Sequence, residues 1–157
     1  MFDKKDLEIV SCLRQNSRQS LKDISKVVGL PISTIYDRLK KLEDNKLILK
    51  YTVLLNFKQM AYPIRSAIFF KVTNGERKKL EDAVFGSMFT NKMVKLTGDE
   101  YTYFFEGIFP NMDKMCGFVD YLQTVCKIDS HKVYYIVDDI KNEGFLQNKE
   151  DASAINN

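Results

Sequence analysis

Ser20-Leu21-Lys22-Asp23-Ile24-Ser25-Lys26-Val27-Val28-Gly29-Leu30-Pro31-Ile32-Ser33-Thr34-Ile35-Tyr36-Asp37-Arg38-Leu39-Lys40-Lys41-Leu42 is the stretch that decides the fold of this 157-residue chain. Leu21, Ile24, Val27 and Val28 recur at helical spacing and are expected to face inward. Ser20 stands where a side-chain oxygen accepts from a first-turn N–H, and Asp23 sits where the helix dipole favours an anion. Gly29 supplies a sharp turn. Beyond Pro31 the spacing predicts a further helix to about Asp44, with Ile32, Ile35, Leu39 and Leu42 as its buried stripe. Upstream, Asp3 can cap a helix whose apolar stripe is Leu7, Ile9, Val10 and Leu13. Two helices across a glycine turn, with a third before them, are the helix-turn-helix layout.

The opposite face of the third helix carries Ser33, Thr34, Asp37, Arg38 and Lys41, flanked by Tyr36 and Lys40. Hydroxyls and Arg reach base edges or phosphates, and Lys meets phosphate as a point charge. This face therefore points to double-stranded DNA, with Ser33, Thr34, Tyr36, Asp37, Arg38 and Lys41 as candidate contacts. Leu47-Ile48-Leu49-Lys50-Tyr51-Thr52-Val53-Leu54-Leu55 is rich in strand-forming residues and predicts the strand of a wing. The competing reading is a three-helix protein-interaction module whose charges are only a solvated face.

Charge is unevenly placed. Residues 1–56 carry 11 Lys and Arg against 7 Asp and Glu, whereas residues 57–157 carry 13 against 14. The N-terminal part thus holds the positive charge a polyanion would meet. Hydrophobic residues make up 45%, enough for a packed core. No apolar run approaches the ~20 residues of a membrane span, and the charged start Met1-Phe2-Asp3-Lys4-Lys5-Asp6 does not read as a signal peptide. Cys12, Cys116 and Cys126 fit neither a disulfide framework nor a zinc site, and each sits in an apolar helical pattern. Buried free thiols and a cytoplasmic location are the expectation, with no membrane partner.

Downstream of a connecting stretch ended by Pro63, the chain reads as strand (64–73), a helix after Asn74-Gly75 with Leu80, Val84 and Met88 on one face, strand (92–97), a Gly98-Asp99 turn, and strand (101–109). Pro110-Asn111 then opens a helix burying Met115, Phe118, Val119, Leu122 and Cys126, and a last strand runs from Lys132 to Ile140. The order βαββαβ is the ferredoxin-like plan. The fold class is α+β, divided as residues 1–56, a linker 57–63, a second domain 64–146 and a flexible polar tail 147–157. Both helices of that plan cover one sheet face, so the other should turn polar if it met water. Instead Tyr101, Tyr103 and Phe105 read on one side of the third strand with Phe104 and Ile108 on the other, and the first strand sets Ile64, Ile68, Phe70 and Val72 against Ala67 and Phe69. The last strand alternates Val133, Tyr135 and Val137 with Tyr134 and Ile136. An apolar second face predicts an interface with another subunit.

The run from Phe2 to Ile9, Asn16-Ser17-Arg18-Gln19-Ser20, Asp23-Ile24-Ser25, Val28-Gly29-Leu30, Ser33-Thr34-Ile35, Arg38-Leu39-Lys40-Lys41-Leu42-Glu43 and Leu47-Ile48 resembles the Lrp/AsnC ("feast/famine") transcription regulators, without gaps over some 50 residues. Two positions depart from the pattern. Pro31 stands where the family usually caps the recognition helix with Ser, and Lys46 where it usually has Gly. Pro suits a first helical turn, and Asn45 is expected to take the left-handed conformation instead. The second half is similar to the family's RAM domain through Leu96-Thr97-Gly98-Asp99 and the run from Ile128 to Lys141.

That resemblance implies a homodimer or octamer and a small-molecule effector bound near the Gly-Asp turn and the last strand, with Gly98, Asp99, Tyr101 and Tyr134 as the candidate positions. Here Glu100-Tyr101-Thr102 lacks the family's usual second Asp, and Cys126-Lys127 replaces a Pro-Gly. Asp99 and Glu100 can meet an ammonium. A carboxylate would need Lys132, Lys95 or backbone N–H groups, since a buried unpaired charge is costly. The residues therefore argue against an ordinary amino-acid effector.

No catalytic constellation is present: there is no phosphate-binding glycine loop and no His/Glu zinc motif. His131 reads as a turn residue before the last strand. Asp138 and Asp139, adjacent on a strand, would point to opposite faces. No enzyme, cofactor or metal is expected. The enzymatic alternative is a sirohaem decarboxylase, which shares the Lrp-like plan but needs a basic, His-containing pocket, whereas the basic residues here favour the helix-turn-helix.

Overall fold

The computed structural model describes residues 2–98 and 100–155, apart from the side chains of Lys149 and Ser153. The chain forms two compact units, one of Met1–Leu54 with Ile140–Asn157 and one of Leu55–Asp139.

In the first unit, α1 (Lys4–Gln15), α2 (Leu21–Val28) and α3 (Ile32–Asp44) follow the predicted caps closely. Asp3 accepts from the Asp6 N–H at 2.8 Å while Asp6 accepts from the Asp3 N–H at 3.0 Å, a reciprocal capping box. Ser20 Oγ accepts from the Asp23 N–H at 3.1 Å. Gly29 ends α2 at φ +74°, a conformation that a Cβ disfavours. Ile9, Cys12, Ile24, Val28, Ile35, Leu39 and Leu42 form the core between the three helices. Val27 and Ile32 do not join it: they remain 41% and 47% exposed. A three-helix core of this size is already filled by the residues at the centre of each stripe, and edge positions stay outside.

Three further expectations change in this unit. Asn45 has φ −80°, and Lys46 itself takes the left-handed conformation at φ +61°. No strand forms over 47–55: residues 49–56 have no regular secondary structure, and among the described residues no strand pairs with them, so the ladder a wing strand needs is not formed. The polar tail contains a short helix, α6 (Lys149–Ala154), whose Ala152 is fully buried with Leu146 against Leu7 of α1. Arg14 Nη2 and Glu143 Oε2, 2.7 Å apart, add an ion pair on the same side.

The second unit has the order β1 (Ile64–Val72), α4 (Arg77–Phe85), β2 (Thr90–Lys95), β3 (Tyr103–Phe109), α5 (Met112–Val125) and β4 (Ile128–Tyr135). The four strands pair antiparallel in the spatial order β2-β3-β1-β4, the ferredoxin-like arrangement. Ile68, Phe70, Val72, Tyr103, Phe105 and Phe109 pack beneath Leu80 and Val84 of α4 and Met115, Phe118, Val119 and Leu122 of α5. Gly107 lies between Phe105 and Phe109, where a Cβ would collide with both rings. Met88 and Cys116, expected inside, are exposed, since α4 ends at Phe85 and Cys116 turns away from the Met115–Phe118 face of α5. β4 begins earlier and ends sooner than expected, so His131 lies within it and the adjacent pair Asp138-Asp139 lies beyond it.

On the uncovered sheet face, Phe69 is the centre of an aromatic cluster. Its ring lies 5.4 Å from Phe104, 5.8 Å from Tyr101 and 6.0 Å from Tyr134. Tyr101 precedes β3 and so reaches this face rather than sharing the side of Tyr103. Beside the cluster, Arg65 donates to Glu106 at 2.8 Å and to Asp139 at 2.7 Å, and Asn91 donates to Glu106 at 2.9 Å. These polar side chains are tied to one another, while of the aromatic cluster Tyr134 is exposed and Phe69, Tyr101 and Phe104 are half-buried.

Candidate nucleic-acid interface

Helix α3 is anchored on its inner side by Ile35, Leu39 and Leu42, all buried. That anchoring turns Ser33, Tyr36, Asp37, Lys40 and Lys41 into solvent, with Thr34 half-buried. The outer face of α3 is therefore made of short hydroxyls, a tyrosine, an aspartate and two lysines.

Arg38 is placed differently from its neighbours. Its Nη1 donates to both oxygens of Asp3, at 2.9 and 2.7 Å, and to Asp6 Oδ1 at 2.7 Å. Asp6 is buried, so the guanidinium neutralises a carboxylate withdrawn from water. Burial by itself would raise the Asp3 carboxyl, but the Arg38 hydrogen bond and the Asp6 N–H outweigh it and hold Asp3 below the usual carboxylate range. The same two carboxylates, led by Asp3, raise Arg38 further above its ordinary value. Arg38 thus ties α3 to the capping box of α1. Exposure alone could not reveal this role in the sequence, because the two acids lie 35 and 32 residues away.

Residues 47–55 leave the C-terminal end of α3 through Lys46. Tyr51 Oη donates to Glu43 at 2.7 Å, fastening this segment to α3. Burial first and the Glu43 carboxylate second push the Tyr51 hydroxyl up to about 12. Leu49, Val53 and Leu54 are strongly exposed along the segment.

The candidate effector positions fall in the second unit. Gly98 sits in an exposed bend closed by the Leu96 N–H donating to the Thr102 carbonyl at 2.8 Å. Tyr101 and Tyr134 meet on Phe69. Asp99 lies outside the described residues. Both cations considered for a carboxylate are engaged. Lys132 pairs with Glu100 at 2.9 Å and lies 5.4 Å over the Tyr101 ring, while Lys95 pairs with Glu81 at 2.9 Å. Glu81 also accepts from the Tyr103 hydroxyl at 2.6 Å; that bond first and Lys95 second hold it below the usual carboxylate range. Among the described residues no group of three or more His, Cys, Asp or Glu side chains could hold a metal, and no helix is long and apolar enough to cross a membrane.

Residues 2–48 match the winged helix-turn-helix DNA-binding family. With a recognition helix presented on a three-helix core, the chain is a DNA-binding transcription regulator of the winged helix-turn-helix class. It is 26% identical to an uncharacterized HTH-type transcriptional regulator of Pyrococcus horikoshii over 146 residues, 93% of this chain and 98% of that one. It is 35% identical to the HTH-type transcriptional regulator FL11 of Pyrococcus abyssi over 75 residues, 48% of this chain and 50% of that one. The fold matches a transcriptional regulator from Neisseria meningitidis solved in complex with L-Met, at TM-score 0.83 and 24% identity over 90% of this chain and 94% of that one. It also matches LrpC of B. subtilis, at TM-score 0.81 and 17% identity over 90% and 98% of the two chains. The fold is thus shared with solved regulators of the AsnC and Lrp type.

Proposed function

We propose that this regulator binds a specific duplex operator through the outer face of α3, as an oligomer assembled on the open sheet face of its second unit. Ser33, Thr34, Tyr36, Asp37 and Lys41 contact the operator, with Lys40 beside them. Arg38 acts as the positioning residue that fixes α3 against α1. The observation that carries this reading is the outward presentation of these polar and basic side chains on a helix whose other side is fully used by the core. The Phe69 cluster, with Tyr101, Phe104 and Tyr134, supports the assembly, since aromatic patches of this kind are covered in subunit interfaces. The protein works in the cytoplasm and catalyses no reaction.

Regulation by a free amino acid is disfavoured. L-Met is bound by the meningococcal neighbour, but in this chain Lys132 and Lys95, the two lysines considered for a carboxylate, are paired with Glu100 and Glu81. An effector at Gly98, Asp99, Tyr101 and Tyr134 is then a ligand that offers an aromatic or apolar surface. Gel-shift titrations with operator DNA across a salt series test the central reading: affinity falls steeply with salt as phosphate contacts release counterions. Absence of binding to any duplex at low salt rejects it. Calorimetric titration with the twenty amino acids tests the effector, and micromolar binding of one of them overturns that part.

A further inference from the structure

An isoleucine at the start of a recognition helix has no structural task here. Ile35, Leu39 and Leu42 fill the core of the first unit, while Ile32 stands 47% exposed at the first residue of α3. One turn further on, Tyr36 is 57% exposed, and Lys40 follows one turn later on the same line. These three residues make a continuous edge, apolar at the N-terminal end and cationic toward the C-terminal end. In helix-turn-helix docking the N-terminal residues of the recognition helix meet base edges, and residues farther along approach phosphate. The apolar group that base pairs present in the major groove is the C5-methyl of thymine. Lys40 at the far end matches the phosphate backbone in charge, which sets the direction in which this edge lies on the duplex.

We infer that Ile32, seconded by Tyr36, reads thymine methyl groups, so that each bound α3 favours thymine at the base pairs facing its first turn. This rests on the operator-binding reading above and adds to it the chemistry of what is read. The Ile32 side chain gives no phosphate affinity, so its contribution is to specificity.

The test uses the full-length protein and an operator selected from a random duplex library. Each thymine is replaced in turn by deoxyuridine, which removes the methyl and nothing else. At one or two adjacent positions per α3 the wild-type protein loses about fourfold in affinity, the worth of one buried methyl-sized group. In Ile32→Ala that loss disappears, while affinity for the deoxyuridine operator equals that of the wild type. Tyr36→Ala is the second variant and abolishes the loss at the neighbouring base pair. Circular dichroism melts establish that both variants fold. Deoxyuridine penalties that are absent from the wild type, or equal in wild type and both variants, overturn the inference while leaving DNA binding intact. If the wild type binds no duplex at low salt, the operator-binding reading itself falls, and this inference with it.

Discussion

Arg38 Nη1 lies 2.7 Å from Asp6 Oδ1, joining the recognition helix to a carboxylate buried at the start of the chain. The bond couples the capping box of α1 to the orientation of α3. Because Asp6 is withdrawn from water, the pair behaves as a buried charge with one designated partner rather than as a surface ion pair.

Arg38→Ala should therefore lower stability of the first unit by about 2–3 kcal/mol, leaving the Asp6 carboxylate without its counter-charge. Operator affinity falls as a consequence, uniformly across sequences, because the whole helix is displaced and no single base pair is singled out. Chemical denaturation combined with a selected-sequence library checks both parts. A preference that vanishes at a single base pair, with unchanged stability, would instead make Arg38 a base-reading residue.

The same tie makes the first unit sensitive to acid. Asp3 is held below its ordinary value in the folded state, so its contribution is fully present above the unfolded carboxylate range, at neutral pH. It declines as pH drops below about 4 and is lost once pH passes through the lowered folded value. Denaturation midpoints followed from pH 7 to pH 2.5 should show this decline in the wild type and a shallower one in Asp3→Asn. Parallel profiles would mean that Asp3 does not contribute to the acid sensitivity.

Lys46→Gly should stabilise the protein by about 0.5–1 kcal/mol. A left-handed Lys is strained by its Cβ, and glycine removes the strain while giving back part of the gain as unfolded-state entropy. A thermal melt measures it; a lower midpoint would mean that the Lys46 side chain contributes more than its backbone costs.

Ala152→Asp should release α6 from α1, since a carboxylate at a fully buried position cannot be accommodated against Leu7. Limited proteolysis then cuts within residues 143–155 of the variant at protease concentrations that spare the wild type. Equal resistance would show that the segment is held without Ala152, by Leu146 on Leu7 and the Arg14–Glu143 pair.

Much of this architecture is legible in the sequence. Ser20, Asp3 and Asn111 announce their helices because a cap is a local bond to an N–H three residues on. Alternation along 64–72 and 103–109 places Ile68, Phe70 and Phe105 on the covered face and Phe69 and Phe104 on the other, since successive strand residues must alternate. Errors gather where a residue sits at the edge of a stripe: Val27, Ile32, Met88 and Cys116 share the spacing of core residues but not their depth. On α3 the spacing identifies the exposed polar face as a set but counts Ile32 with the buried stripe, because its position at the first turn carries no signal of depth.

Composition and periodicity by themselves determined the two-part α+β plan, the glycine turn at Gly29 and the apolar second sheet face of this regulator, because each follows from geometry repeated within a few residues. Only the tertiary structure decided that Arg38 serves Asp3 and Asp6, that Lys132 and Lys95 are already engaged, and that the chain's last turn of helix rests on Leu7. Those choices depend on which charges and apolar surfaces meet across long stretches of chain. No local pattern records the partner, and burial and Coulomb energy select it after the backbone has closed.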